Sequence, residues 1–129
     1  MHYLDSSALV KLIVEEPESS ALDAWLKLEH VRAVSSDLAR TETIRAVRRR
    51  RPALMVEARS RLSSVAWFRI TKDIAERAAL LDPPELRSLD AIHLATALDL
   101  AGDLDGLATY DERLASAASE YGIPTLAPR

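Results

Sequence analysis

The fold is decided by residues 1–17, which read MHYLDSSALVKLIVEEP. The stretch from His2 to Asp5 has the short apolar character of a strand, and the two serines after it can open a helix. We therefore predict a strand over residues 2–5 and a helix over residues 8–15, which stops before Pro17 because proline disfavours a continuing helix. A carboxylate, Asp5, stands at the junction of the two elements.

The same alternation of strand and helix continues along the chain. Helical spacing of apolar residues, capping side chains, prolines and glycines mark the boundaries. We predict strands at 2–5, 31–34, 67–70, 107–109 and 123–126, helices at 8–15, 18–28, about 37–50, 54–64, 72–81, 89–101 and 112–118, and helix caps among Ser35, Ser36, Asp37, Thr71 and Ser88. Strands separated by helices indicate an α/β fold, with right-handed crossovers, a parallel sheet and helices on both faces.

The composition excludes several classes of protein. The 129 residues contain no cysteine, so disulfides, thiolate zinc sites and cysteine nucleophiles are absent, and only three glycines, too few for a glycine-rich phosphate loop. No apolar run approaches the roughly 18 residues of a membrane helix, and no signal segment is evident. With 48% hydrophobic residues and a net charge of −3, we expect one soluble cytoplasmic domain over residues 1–129, without membrane attachment.

Acidic residues fall where this fold would place a site. Parallel sheets bind ligands beyond the carboxyl ends of their strands. Asp5 ends the first predicted strand, Asp111 follows the fourth, and Asp90 lies in the first turn of a mostly apolar helix. Glu42 shares a helix face with apolar residues, where a charge is costly unless it is paired or binds a cation. Each of these residues alone also fits a structural role, as a helix cap or a solvated side chain.

Converging carboxylates would repel one another unless they took up protons or bound a cation. Two of them about 4 Å apart repel by roughly 4 kcal/mol at an effective dielectric near 20. Oxygen ligands without cysteine or paired histidines favour Mg²⁺ or Mn²⁺ over zinc. Such an ion supports phosphoryl chemistry by activating a water molecule and stabilising developing charge. The lone His93, three residues after Asp90 in an apolar stretch, is better explained by packing than by metal binding.

Basic residues cluster in one part of the chain. The candidates for substrate binding are five arginines that would form a phosphate-binding rim: Arg45, Arg48, Arg49, Arg50 and Arg51. A solvated helix end and a contact with an acidic partner remain open as alternatives. Conversely, residues 82–112 carry eight acidic side chains and only one basic side chain, Arg87.

Three segments resemble the PIN-domain ribonucleases, and among them the VapC-type toxins of bacterial toxin–antitoxin pairs. The segments are DSSALVKL at residues 5–12, LDAIHLATA at residues 89–97 and ATYDERL at residues 108–114. The resemblance covers essentially the whole chain as a single PIN domain. The helix that carries Glu42 matches more loosely.

This resemblance implies a three-layer α/β/α sandwich and endoribonuclease activity that depends on Mg²⁺ or Mn²⁺. By matching position, Asp5 and Asp90 would be the principal metal ligands, and Glu42 and Asp111 would complete the acidic cluster. Ser7 and Thr109 would supply hydroxyls, so the catalytic set is Asp5, Ser7, Glu42, Asp90, Thr109 and Asp111. The resemblance also implies RNA as the substrate, a VapB-type antitoxin as partner and a homodimer.

Two other functions of α/β domains need residues that this chain lacks. A receiver-type phosphoacceptor domain needs an acidic pair at the first strand and a lysine after the last, and an aspartyl phosphatase needs Asp-x-Asp after the first strand. The chain has Asp5-Ser6-Ser7 and no lysine near Leu126. A non-catalytic protein-binding or regulatory α/β module remains the alternative, which a metal requirement would distinguish from a nuclease.

Overall fold

A computed structural model describes every residue from Met1 to Arg129. It contains five strands and seven α-helices, with 3-10 turns at Pro52–Leu54 and Ala101–Asp103. In chain order these are β1 (His2–Leu4), α1 (Ser6–Lys11), α2 (Ser19–Leu28), β2 (Ala33–Ser36), α3 (Asp37–Arg50), α4 (Met55–Leu62), β3 (Ala66–Phe68), α5 (Lys72–Ala79), α6 (Ser88–Asp99), β4 (Gly106–Ala108), α7 (Glu112–Glu120) and β5 (Thr125–Leu126).

The five strands form one sheet in the order β3-β2-β1-β4-β5, and every neighbouring pair is parallel. The chain builds outward from β1 to β2 and β3, and then returns to the other side of β1 with β4. The strand order therefore reverses between β1 and β4, which is where open parallel sheets form their ligand crevice.

The core lies on both faces of the sheet, which gives the α/β/α layering. One apolar cluster joins Leu4 and Ala108 of the sheet to residues of α1, α2, α3 and α4. A second cluster joins Tyr3, Val34 and Leu107 to residues of α6 and α7. Side chains alternate across a strand, so neighbours such as Tyr3 and Leu4 enter opposite layers. The predicted fold class is confirmed.

The element boundaries differ from the prediction at three informative places. Helix α1 begins at Ser6 rather than at residue 8, because the Asp5 side chain caps it by accepting a hydrogen bond from Ala8 N at 3.0 Å. Strand β2 lies two residues later than predicted and ends at Ser36, which caps α3 through Ala39 N. Ser88 is the first residue of α6 and not its cap, since Arg87 occupies the cap position without a side-chain hydrogen bond.

The helices are all short compared with a bilayer. None of them combines the length and the apolar character that crossing a membrane requires.

Candidate active site

A cavity of about 420 Å³ lies at the carboxyl end of the sheet, beside the point where the strand order reverses. Four acidic residues, Asp5, Glu42, Asp90 and Asp111, line it together with Ser7, Arg87 and His93. We call it the acidic cavity. The structure thus brings together four carboxylates that span residues 5 to 111 of the chain. A larger groove of about 1030 Å³ shares Arg87 and Asp90 with the acidic cavity.

Asp5 is held in place by three donors. Its Oδ1 accepts hydrogen bonds from Ser7 Oγ at 2.6 Å and from Ala8 N at 3.0 Å, and its Oδ2 accepts one from Thr109 Oγ1 at 2.6 Å. The Thr109 contact follows from the sheet register, because Leu4 of β1 is paired with Ala108 of β4. Burial raises the pKa of Asp5, although the three hydrogen bonds act in the opposite direction.

The two predicted hydroxyl residues therefore contact the carboxylate that they were expected to accompany. Ser7 lines the acidic cavity, and its Oγ also accepts a hydrogen bond from Tyr110 N at 2.9 Å. Thr109 is buried and does not line the cavity, and its Oγ1 also accepts a hydrogen bond from Asp111 N at 3.0 Å. Both hydroxyls restrict how the Asp5 carboxylate can turn.

Asp90 and Asp111 share one cation from the protein itself. Arg87 donates from Nε to Asp90 Oδ2 at 3.2 Å and from a terminal guanidinium nitrogen to Asp111 Oδ2 at 3.2 Å. Asp111 is also the cap of α7, where its Oδ1 accepts hydrogen bonds from Arg113 N and Leu114 N. The Arg87 side chain is 61% exposed, so the surrounding water weakens these ion pairs.

Glu42 is paired with a buried histidine. Its Oε1 lies 2.6 Å from His93 Nε2, and His93 Nδ1 lies 2.8 Å from the Tyr3 hydroxyl. Helix α3 carries Glu42 and helix α6 carries His93, so this contact joins two elements at the mouth of the sheet. His93 is buried, as a packing role predicts, but it also bonds to a carboxylate of the cavity.

The donor set of the acidic cavity fits a hard divalent cation. Asp90 Oδ1 and Glu42 Oε2 accept no hydrogen bond within the protein, and all four acidic residues offer oxygen ligands. No three acidic or histidine side chains approach closely enough to hold one ion in common. Mg²⁺ usually takes one or two carboxylates and completes its shell with water and substrate oxygens, and the cavity meets that requirement.

The predicted arginine rim lies elsewhere. None of Arg45, Arg48, Arg49, Arg50 and Arg51 lines the acidic cavity. The C-terminal half of α3 carries Arg48, Arg49 and Arg50, with Arg48 about 9 Å along the helix axis from Glu42. Arg50 pairs with Glu16, and Arg45 lines a separate depression with Trp67. A role for these arginines in substrate binding stays a prediction.

The matching family model covers nearly the whole chain. The model describes the PIN domain, and it matches residues 2–120. The chain belongs to the PIN-domain family. This PIN domain is 48% identical over 126 residues to ribonuclease VapC46 of Mycobacterium tuberculosis, covering 98% of this chain and 96% of the relative. It is 39% identical over 132 residues to ribonuclease VapC47 of the same species, covering 99% and 97%.

Two solved structures have the same architecture as this PIN domain. One is a toxin–antitoxin complex from Klebsiella pneumoniae, with a TM-score of 0.73, 26% identity and coverage of 100% of this chain and 98% of the other. The other is the Mycobacterium tuberculosis toxin VapC20, which cleaves the sarcin–ricin loop, with a TM-score of 0.77 and coverage of 99% and 100%. At 20% identity, the second shows similarity of fold alone.

Sequence reasoning missed two partners of the carboxylates. Arg87 stood out only as the single basic residue in an acidic segment, and nothing in the spacing showed that it would bridge Asp90 and Asp111. The signal for His93 was present, because a residue three positions after Asp90 lies on the same side of the helix. Tyr3 gave no signal, since an aromatic residue in a strand fits any core.

Proposed function

We propose that this PIN domain is an endoribonuclease that requires Mg²⁺ or Mn²⁺ and acts as the toxin of a toxin–antitoxin pair. The observation that carries the proposal is the acidic cavity, where four carboxylates from separate parts of the chain line one space of about 420 Å³. The 48% identity to a relative named as a ribonuclease supports RNA as the substrate. The similarity to a chain of a toxin–antitoxin complex supports an antitoxin partner.

In this proposal the residues have distinct roles. Asp5 and Asp90 hold the essential cation, and Glu42 and Asp111 complete its environment through water or beside a second ion. A bound divalent cation supplies charge for a phosphodiester oxygen and lowers the pKa of a water molecule. Ser7 and Thr109 keep the Asp5 carboxylate in one orientation by donating to it at 2.6 Å. A VapB-type antitoxin, a homodimer and a cytoplasmic location remain predictions from the family resemblance.

The test is cleavage of a structured RNA by the purified protein with Mn²⁺, with Mg²⁺ or with a chelator. We expect cleavage only with a metal ion, and we expect Asp5→Asn and Asp90→Asn each to reduce the rate at least about 100-fold. Outer-sphere partners of metals already account for 10- to 100-fold effects, and a direct ligand should account for at least as much.

A matched control is Asp99→Asn, which removes a carboxylate from the exposed far end of the helix that carries Asp90. It should leave the rate unchanged. Full activity of Asp90→Asn, or cleavage that persists in the chelator, would refute the metal-dependent mechanism. Absence of RNA cleavage under every condition would favour the non-catalytic binding module.

A further inference from the structure

Two buried polar side chains, one lining the acidic cavity and the other bonded to it, have no part in the proposed mechanism. Tyr3 is fully buried and His93 is 2% exposed. Burying a polar group is costly unless it is hydrogen-bonded, so their contacts indicate what they do.

These side chains form one continuous hydrogen-bonded chain that ends at Glu42. Ser36 Oγ lies 3.0 Å from the Tyr3 hydroxyl, the hydroxyl lies 2.8 Å from His93 Nδ1, and His93 Nε2 lies 2.6 Å from Glu42 Oε1. Ser36 Oγ also accepts a hydrogen bond from Ala39 N at the start of α3. The chain therefore connects β1, α6 and both the cap and the second turn of α3.

The last link of this chain has a fixed direction. A carboxylate oxygen only accepts hydrogen bonds, so His93 Nε2 donates its proton to Glu42 Oε1. The imidazole ring cannot turn away, because its other nitrogen is bound to Tyr3 inside the core. One oxygen of Glu42 is therefore held, and Oε2 stays free at the cavity.

We propose that His93, itself oriented by Tyr3, is a positioning residue that fixes the Glu42 carboxylate in the acidic cavity. Glutamate is a long side chain with several rotamers, and the Glu42 side chain is 26% exposed, so without a partner it would move between cavity and solvent. Carboxylates that surround a metal ion are commonly held in place by hydrogen bonds from neighbouring groups. The inference deepens the proposed nuclease function and rests on it for its link to RNA cleavage.

The first measurement does not need RNA or a metal. In the metal-free protein, the His93 Nε2–H proton should give an exchange-protected, far-downfield signal in a ¹H–¹⁵N spectrum. That signal should move in Glu42→Gln, which replaces the charged acceptor by a neutral one. The control is Tyr121→Phe, which should leave the signal unchanged. Tyr121 follows the last residue of α7, and its phenol hydroxyl accepts a hydrogen bond from Asp82 N.

The second measurement is Mn²⁺ affinity by calorimetry, with RNA cleavage alongside it. His93→Ala and Tyr3→Phe should each weaken Mn²⁺ binding and cleavage by about 10-fold or more, in the range known for such outer partners. His93→Gln keeps an N–H donor at a similar reach and should stay within about threefold of the wild-type protein. Tyr121→Phe should match the wild-type protein in both measurements.

The outcomes separate this inference from the proposed function. If Tyr3→Phe, His93→Gln and His93→Ala all bind Mn²⁺ like the wild-type protein and only their melting temperatures fall, the chain is structural and the inference is wrong. The inference also fails if no protected Nε2–H signal exists. If the signal and the Mn²⁺ effects appear but the wild-type protein cleaves no RNA, the positioning stands and the nuclease function fails.

Discussion

At the scale of single residues, the four carboxylates of the acidic cavity each have a partner within the protein. Two hydroxyl groups and a backbone amide donate hydrogen bonds to Asp5, and an imidazole is hydrogen-bonded to Glu42. One guanidinium forms ion pairs with both Asp90 and Asp111. From the sequence alone, a divalent cation was the expected counter-ion for these carboxylates. The structure adds partners from the protein itself, because Arg87 pairs with Asp90 and Asp111 and His93 is hydrogen-bonded to Glu42.

Neutralising Asp5 should stabilise the metal-free protein. Burial raises the pKa of Asp5 above its ordinary value of 3.8, so its charged form costs free energy of folding at neutral pH and costs nothing once both states are protonated. Asp5→Asn should therefore raise the metal-free melting temperature at pH about 7, and should reduce the further increase that Mn²⁺ produces. Identical responses of the two proteins to Mn²⁺ in a thermal scan would show that Asp5 does not contact the ion.

Arg87 should compete with a bound cation. Its guanidinium bridges Asp90 and Asp111, so an ion must displace it or bind against its charge. Arg87→Gln should tighten Mn²⁺ binding by about 3- to 10-fold in calorimetry, since like charges on one site cost of order 1 kcal/mol. Arg113→Gln removes an arginine from the adjacent groove and should change the affinity less. If both variants change the Mn²⁺ affinity equally, the effect of Arg87 comes from its net charge and not from its contacts with Asp90 and Asp111.

At the scale of elements, the sequence identified two helix caps correctly and one wrongly. Ser36 and Thr71 directly precede predicted helices, and both cap the helices that follow, because their hydroxyls accept the backbone N–H three residues later. Ser88 has the same chemistry and fails as a cap, since α6 begins at Ser88 itself with Arg87 at the cap position. The position of Arg87 is set by how the preceding loop enters α6, and local propensity does not encode this.

Substitution of Thr71 tests how much a single helix cap stabilises the protein. Thr71 is exposed and lies between β3 and α5, and its Oγ1 accepts a hydrogen bond from Ile74 N at 3.2 Å. Thr71→Ala should lower the free energy of unfolding by about 1 kcal/mol, whereas Thr71→Ser should lower it by less. Urea unfolding of the three proteins measures both values. Equal losses in Ala and Ser would assign the effect to the lost methyl group rather than to the cap.

At the scale of the whole molecule, strand order explains why distant residues meet. Alternating strands and helices predict a parallel sheet, and that rule alone places Asp5 and Asp111 at the carboxyl ends of the strands, on the same side of the sheet. The sequence does not show that β1 and β4 are neighbours. Their pairing brings Thr109 against Asp5 and creates the reversal of strand order. The pairing of Glu42 with His93 could not be predicted, because it depends on how α3 and α6 approach each other over the sheet.

Charge is also distributed unevenly over the molecule. The exposed arginines of α3 do not line the acidic cavity, but Glu42 on the same helix does. An RNA that extends beyond the cavity could therefore contact both the cavity and these arginines. Replacing Arg48 and Arg49 together by Gln should weaken RNA binding several-fold and lower the slope of log affinity against log salt by about 1 to 2. Replacing Arg77 on α5 should have a smaller effect. An unchanged salt slope in the double variant would remove these arginines from the RNA-binding surface.

The central claim is that Asp5 and Asp90 hold one divalent cation in the acidic cavity. The most direct measurement is anomalous diffraction from a crystal of the protein soaked with Mn²⁺. We predict a single strong peak, or two peaks about 3.5–4 Å apart, with carboxylate oxygens of Asp5 and Asp90 in direct contact with the metal. A crystal with Mn²⁺ bound only at other positions, and with Arg87 still bridging Asp90 and Asp111, would contradict the claim.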